Sequence, residues 1–212
     1  IERFGHWKDN GIRIEGEAVF SLTEIFLSTF HFYEKIDEKV EDFYVASDVV
    51  GDGYVQPYAD APADDLYISE TIHLNMINNA KEYCYIFTPY LIIGYEMIKA
   101  MTLAAQGGVD VRIVVPGIPD KKLVNLKTKS NYPQLVKAGV KIYEYEPGFV
   151  HSKLIVSDDD IASVSTANMD FRSYYLNFEC GVVLYQSEAI IQARNDFLAT
   201  LKVCVKQDAK DI

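Results

Sequence analysis

His151-Ser152-Lys153-Leu154-Ile155-Val156-Ser157-Asp158, followed by Ser165-Thr166-Ala167-Asn168, concentrates groups able to break a phosphodiester in one short stretch. A neutral imidazole can attack phosphorus, an ammonium can neutralise phosphoryl oxygens, and hydroxyl and amide groups can donate hydrogen bonds to them. A carboxylate such as Glu179 can fix the imidazole tautomer through the second ring nitrogen. This chemistry requires no metal and no cofactor. The stretch occurs once, so it reads as half of an active site.

The elements that must position these groups follow from periodicity. On a strand alternate side chains share a face, so His151 and Lys153 project together while Ser152, Leu154 and Val156 face the other way. Asp158 ends that strand, where a carboxylate capping a turn is the simplest role. A second strand, Ile161 to Ser165, and a polar loop return Thr166 and Asn168 toward the histidine, and Glu179 begins another strand. Strands are expected over Gly11–Glu15, Gly53–Tyr58, Tyr83–Thr88, Val109–Val115, Val140–Glu144, Val150–Ser157, Ile161–Ser165 and Glu179–Tyr185. Helices are expected over Ala18–Tyr33, Ser69–Lys81, Tyr95–Gln106, Leu123–Ala138 and Ser187–Val203. The alternation favours an α/β fold, a mixed β-sheet sandwiched between helices.

His151, Lys153, Asp158, Thr166, Asn168 and Glu179 fall position by position on a pattern that resembles the phospholipase D superfamily motif. That motif reads HxKxxxxD, six residues, then GSxN, with an acidic or amide residue eleven positions on. An isolated HxK is usually a surface pair or a satisfied core histidine, but six positions at fixed spacing outweigh that reading. Ser165 replaces the usual glycine; if the position demands a positive φ, serine costs roughly 1 kcal/mol there. Trp7-Lys8-Asp9, Thr88-Pro89-Tyr90, Asp120 and the run from Ala167 to Ser173 are similar to bacterial cardiolipin synthases. Leu91-Ile92-Ile93-Gly94 departs from them, which touches acceptor specificity.

The resemblance implies a phospholipase D-like lobe with His151, Lys153 and Asp158 catalytic, and with Thr166, Asn168 and Glu179 binding or orienting the substrate phosphate. It implies transfer of a phosphatidyl group from one phosphatidylglycerol to histidine, with release of glycerol, and then to a second phosphatidylglycerol, giving cardiolipin. Relatives carry two such motifs, one per lobe. Other readings are a phospholipid hydrolase, a nuclease working as a homodimer of single-motif chains, or an inert module.

A weak repeat supports a second lobe upstream. Glu17-Ala18-Val19 matches Glu188-Ala189-Ile190, and Phe26-Leu27-Ser28-Thr29 matches Phe197-Leu198-Ala199-Thr200, with Asp9 placed much as Glu179 is. The expectation is therefore a first-lobe tail and linker over residues 1–42, a second lobe over 43–206 and a C-terminal tail over 207–212. The chain begins at Ile1, and the reading is that an N-terminal lobe of the same protein is its missing partner.

The composition is that of a globular chain, with 49% apolar and 24% charged residues, and no apolar run reaches the roughly 18 residues a membrane span needs. The resemblance places the full-length protein at the bacterial cell membrane, with this portion soluble and meeting the membrane surface. The net charge of −11 argues against nucleic acid as partner, because that affinity depends on lysine and arginine neutralising phosphates. Lys121, Lys122, Lys127 and Lys129 form the one basic cluster and read as a solvated helix face. The aromatic set Phe26, Phe30, Phe32, Tyr33, Phe43 and Tyr44 reads as core packing, with a lipid-facing patch as the functional alternative. Cys84, Cys180 and Cys204 lack metal-ligand spacing and read as reduced, buried thiols.

Overall fold

The computed structural model describes residues 3–34, 38–62 and 65–208. Residues 35–37 of the expected tail and linker over 1–42, residues 63–64, and residues 209–212 of the expected tail over 207–212 lie outside the described residues. In chain order the strands are β1 (His6–Lys8), β2 (Tyr54–Asp60), β3 (Tyr83–Phe87), β4 (Leu91–Ile92), β5 (Asp110–Pro116), β6 (Lys141–Tyr145), β7 (Gly148–Val150), β8 (Leu154–Ser157), β9 (Ile161–Ser165), β10 (Met169–Asp170), β11 (Glu179–Tyr185) and β12 (Cys204–Lys206). The helices are α1 (Ala18–Tyr33), α2 (Ile68–Asn79), α3 (Tyr95–Gln106), α4 (Lys122–Lys129), α5 (Tyr132–Ala138), α6 (Phe171–Leu176) and α7 (Glu188–Leu201).

Eight strands form one mixed sheet in the order β12-β6-β5-β3-β8-β9-β11-β2. Period-two alternation divides their side chains between two cores. Cys84, Ile86, Val111, Ile113 and Ile155 face α2, α3 and α5, where Met76, Met97 and Leu135 close one layer. Tyr85, Phe87, Leu154, Val156 and Val182 face α7, whose Ile190 and Phe197 fill the other. Helices on both faces of a mixed sheet are the expected architecture.

Four local differences matter. The expected strand at Gly11–Glu15 does not pair; Ile12 and Ile14 instead pack onto the α7-side core. The expected strand Val150–Ser157 breaks at residues 151–153, because the His151 and Ser152 amides donate to the Lys8 carbonyl outside the main sheet. The expected helix Leu123–Ala138 breaks into α4 and α5. Pro133, in the first turn of α5, cannot continue a helical ladder, and buried Asn131 at the break donates to the Leu91 carbonyl at 2.8 Å. The aromatic set read as core is exposed instead: Phe26, Phe30, Phe32, Tyr33, Phe43 and Tyr44 all face outward, and only Leu27 of α1 is buried.

The cysteines carry no disulfide; Cys84 is buried, whereas Cys180 and Cys204 are half-buried. His73 is buried against the Tyr174 hydroxyl at 2.8 Å, and burial pushes its pKa down to about 4.

Candidate active site

Parallel pairing of β1 with β7 sets Lys8 opposite Val150, so the next residue on each segment, Asp9 and His151, meet. The Asp9 carboxylate and His151 Nδ1 lie 2.8 Å apart. The segment carrying Asp9 is held by α7: Lys8 Nζ reaches both oxygens of Asp196 at 2.7 Å, and Asn10 Nδ2 donates to Asp196 at 3.0 Å. Ser152 donates to the Asn10 side-chain oxygen, so the residue between His151 and Lys153 fastens the same segment from the other side. The opposed projection of Ser152 and its neighbours therefore holds although residues 151–153 are not strand.

Lys153 Nζ stands 2.7 Å from His151 Nε2. An ammonium has donors and no lone pair, so Nε2 must accept, and the imidazole proton sits on Nδ1 and is donated to Asp9. The histidine is thus a neutral imidazole with its reactive lone pair on Nε2. Trp7 and Phe149 pack on its ring, at centroid distances of 5.2 Å and 6.3 Å.

Lys153 is only 8% exposed. Desolvation pushes its pKa down to about 8, opposed by the negative fields of Asp9, Glu179 and Asp170. An ammonium so placed remains charged at neutral pH, close to the buried carboxylates of Glu179 and Asp170 but ion-paired with none among the described residues, so a phosphoryl group could become its counter-ion.

Thr166 donates its hydroxyl to the Glu179 carboxylate and accepts the Cys180 amide at 3.0 Å. Asn177 donates to the other Glu179 oxygen at 3.0 Å. Glu179 therefore does not set the His151 tautomer, as the sequence suggested; Asp9 does. Asn168 donates to Ser173 Oγ at 3.2 Å, and its side-chain oxygen is buried with no hydrogen-bond partner among the described residues. Ser165 is absent from the positive-φ residues, so the feared strain of serine at the glycine position does not arise.

Asp158 does not join the group. It lies at the far end of β8, in the left-handed region at φ 54°, and accepts the amides of Lys81, Glu82 and Tyr83 at 2.8–3.0 Å. This is a structural carboxylate tying the β8 end to the start of β3. Arg172 is exposed and turns to Asn177. Two acids escaped the sequence reading as site residues. Asp9 was visible as part of the Trp7-Lys8-Asp9 resemblance and in the repeat, and Asp170 as the N-cap of α6, accepting the Ser173 amide at 2.9 Å.

An apolar cavity of about 310 Å³ opens beside Thr166, between Ile12, Ile14, Val19 and Leu22 on one side and Val164 and Val182 on the other. It joins the polar group to a greasy wall.

Residues 73–201 match the family described as "Cardiolipin synthase, PLD-like domain". The chain is 45% identical over 206 residues to an uncharacterized protein of Streptococcus mutans, covering 95% of this chain and 44% of that protein. It is 39% identical to the cardiolipin synthase of Alkalihalophilus pseudofirmus, with 94% of this chain and 40% of that protein aligned. Against the Geobacillus thermodenitrificans cardiolipin synthase the identity is 40%, over 93% of this chain and 40% of that protein. The chain thus spans less than half the length of these curated relatives. Among solved structures, the phospholipase D family member Nuc of Salmonella typhimurium superposes with a TM-score of 0.62 at 16% identity, over 73% of this chain and 98% of that one. The phosphatidylserine synthase of Haemophilus influenzae gives a TM-score of 0.57 at 16% identity, over 72% of this chain and 40% of that one. At such identities the structures speak for the fold alone.

Proposed function

The chain belongs to the cardiolipin synthase family of phospholipase D-like domains, and from that premise we propose that it is the C-terminal catalytic half of a phosphatidyltransferase making cardiolipin. The observation that carries the reading is the line Asp9–His151–Lys153, which presents a neutral imidazole lone pair next to a desolvated cation.

In this reading His151 Nε2 attacks the phosphorus of phosphatidylglycerol. The P–N bond forms, the P–O bond to the terminal glycerol breaks, and glycerol leaves with a proton supplied by a second histidine. The hydroxyl of a second phosphatidylglycerol then attacks the phosphohistidine phosphorus and gives its proton to that second histidine; the new P–O bond forms as the P–N bond breaks, which frees His151 and releases cardiolipin. Two phosphatidylglycerols become one cardiolipin and one glycerol, and no nucleotide is consumed. Lys153 neutralises the phosphoryl oxygens as charge builds on them, and Asp9 steadies the imidazolium that forms when phosphorus bonds Nε2. The Asn168 NH₂ and the Thr166 hydroxyl orient the phosphate by donating to its oxygens in exchange for Ser173 and Glu179, with Glu179 holding Thr166 in place. Asp158 takes no part.

The second histidine is assigned to another lobe, with residues 1–42 as that lobe's tail and linker, 43–206 as this lobe and 207–212 as a terminal tail. The curated relatives are long enough to hold such a lobe, since this chain aligns to less than half of each. A lipid substrate rather than nucleic acid fits the net charge of −11 and the apolar cavity beside Thr166. The proposed partners are accordingly phosphatidylglycerol, cardiolipin, the membrane surface and either the other lobe or a second copy of this chain.

Product analysis after incubation with phosphatidylglycerol vesicles tests the reading, with the His151→Ala variant alongside. Cardiolipin and glycerol from the native chain, absent with the variant, are expected where two copies complete the site. Phosphatidate in place of cardiolipin would make the protein a hydrolase and overturn the transferase assignment.

A further inference from the structure

We propose that the outward face of α4 is a docking surface for an anionic phospholipid bilayer. Leu123 is 82% exposed and Leu126 64% exposed, and their i, i+3 spacing puts both on one face of the helix. The inward face is formed by Val124, Asn125 and buried Thr128, whose hydroxyl accepts the Leu91 amide at 3.2 Å, so the leucines are not waiting to turn into this core.

Lys121, Lys122 and Lys127 are exposed around the two leucines. Lys122 and Lys127 make no ion pair among the described residues, whereas Lys121 pairs with Asp120 at 3.7 Å and Lys129 with Glu144 at 2.7 Å. Two outward leucines flanked by the unpaired Lys122 and Lys127 are the pattern of a helix lying in a membrane interface: apolar tips enter the acyl boundary while ammonium groups stay at the headgroups. A chain of net charge −11 is repelled by an anionic surface on average, so this lysine-rich face is where approach is electrostatically open. The aromatic face of α1 is equally exposed but carries no lysine or arginine, and nothing in its charge selects a lipid.

Position supports the assignment. Lys121 Nζ stands 5.4 Å from the Tyr90 ring centroid, Tyr90 packs 6.4 Å from Phe149, and Phe149 packs 6.3 Å from His151. Exposed Trp7, 4.7 Å from Phe149 and 5.2 Å from His151, carries apolar surface to the rim of the histidine. A bilayer seated on α4 would present its phosphodiesters a few side chains from Nε2. That benefit rests on the proposed function; the docking itself does not.

Flotation of the chain with vesicles of phosphatidylglycerol mixed with phosphatidylcholine, and with phosphatidylcholine alone, tests the proposal. The native chain is expected to float with the anionic vesicles and to be released by salt. Leu123→Ser with Leu126→Ser, and separately Lys122→Glu with Lys127→Glu, should each weaken binding by about tenfold or more. Both pairs are solvent-facing, so circular dichroism should be unchanged. Failure of the native chain to bind, equal binding to neutral vesicles, or undiminished binding by both variants would overturn the proposal. A change in oligomeric state with vesicle binding unchanged would assign the face to a protein contact instead. The His151→Ala chain should float like the native one, so loss of turnover and loss of docking are read separately.

Discussion

Asp9 and His151 lie 142 positions apart in the chain and share a 2.8 Å hydrogen bond. Because Lys153 occupies Nε2 as a donor, that bond fixes which nitrogen carries the proton and which carries the lone pair. The reactive end of the histidine is therefore set by a three-residue parallel ladder between β1 and β7 and by the clamp of Lys8 and Asn10 on Asp196.

Replacing Asp9 with Asn leaves the shape but offers an amide that can present either its oxygen or its NH₂ to Nδ1. Turnover is expected to fall by about 10²-fold or more with little change in thermal stability. Nitrogen NMR of His151 should show the Nδ1–H tautomer in the native chain and a mixture in the variant. A native spectrum with the proton on Nε2 would remove the Asp9 role.

Lys153 gives a pH signature. Its folded pKa, about 8, lies below the 10.5 of a free lysine, so between those values the unfolded chain binds more protons. Stability contributed by this residue is therefore least below pH 8 and rises as pH climbs toward 10.5. Urea unfolding should show native stability gaining on a Lys153→Met variant across that window, and turnover falling above about pH 8 as the phosphate loses its cation. A native curve that loses ground to the variant with rising pH would contradict the burial assigned to the ammonium.

Asp158 separates motif from mechanism. Its carboxylate accepts three amides, and leaving them unpartnered should destabilise Asp158→Ala by about 2 kcal/mol or more. Turnover per folded molecule should stay close to native. A large loss of turnover in a chain of native stability would return Asp158 to the catalytic group.

Gly181 tests the frame around Thr166. A Cβ there would sit 2.6 Å from the Ser165 Cβ and 2.7 Å from the Tyr58 ring, neither of which can swing away. Gly181→Ala is expected to cost about 1–3 kcal/mol in denaturant unfolding. An unchanged midpoint would show that β9 and β11 separate more freely than their pairing indicates.

Long, strongly periodic segments were legible. The limits of α1 and α3 follow from sequence, as do β3, β5 and β9 to within a residue or so, although the side of α1 that is buried does not. What escaped depends on distant partners. A strand as short as β1 has no period to detect, and its ladder with β7 is what breaks the run after Val150 and brings Asp9 to the histidine. Glu179 was the nearer carboxylate by motif, but Thr166 and Asn177 occupy it. The break between α4 and α5 answers to Leu91, whose amide and carbonyl are met by Thr128 and Asn131. The aromatic residues of α1 look like core because composition does not say what covers them.

The most direct test of the central claim avoids the need for a second histidine. With bis(p-nitrophenyl) phosphate the leaving group departs as a stable anion and requires no general acid, so Nε2 of His151 alone should suffice for the first step. Intact-mass and peptide analysis after brief reaction should find one aryl phosphoryl adduct on His151, together with a matching burst of p-nitrophenolate, and neither in His151→Ala. No adduct on the native chain, or equal p-nitrophenolate from the variant, would contradict the account of His151 as the phosphorus nucleophile.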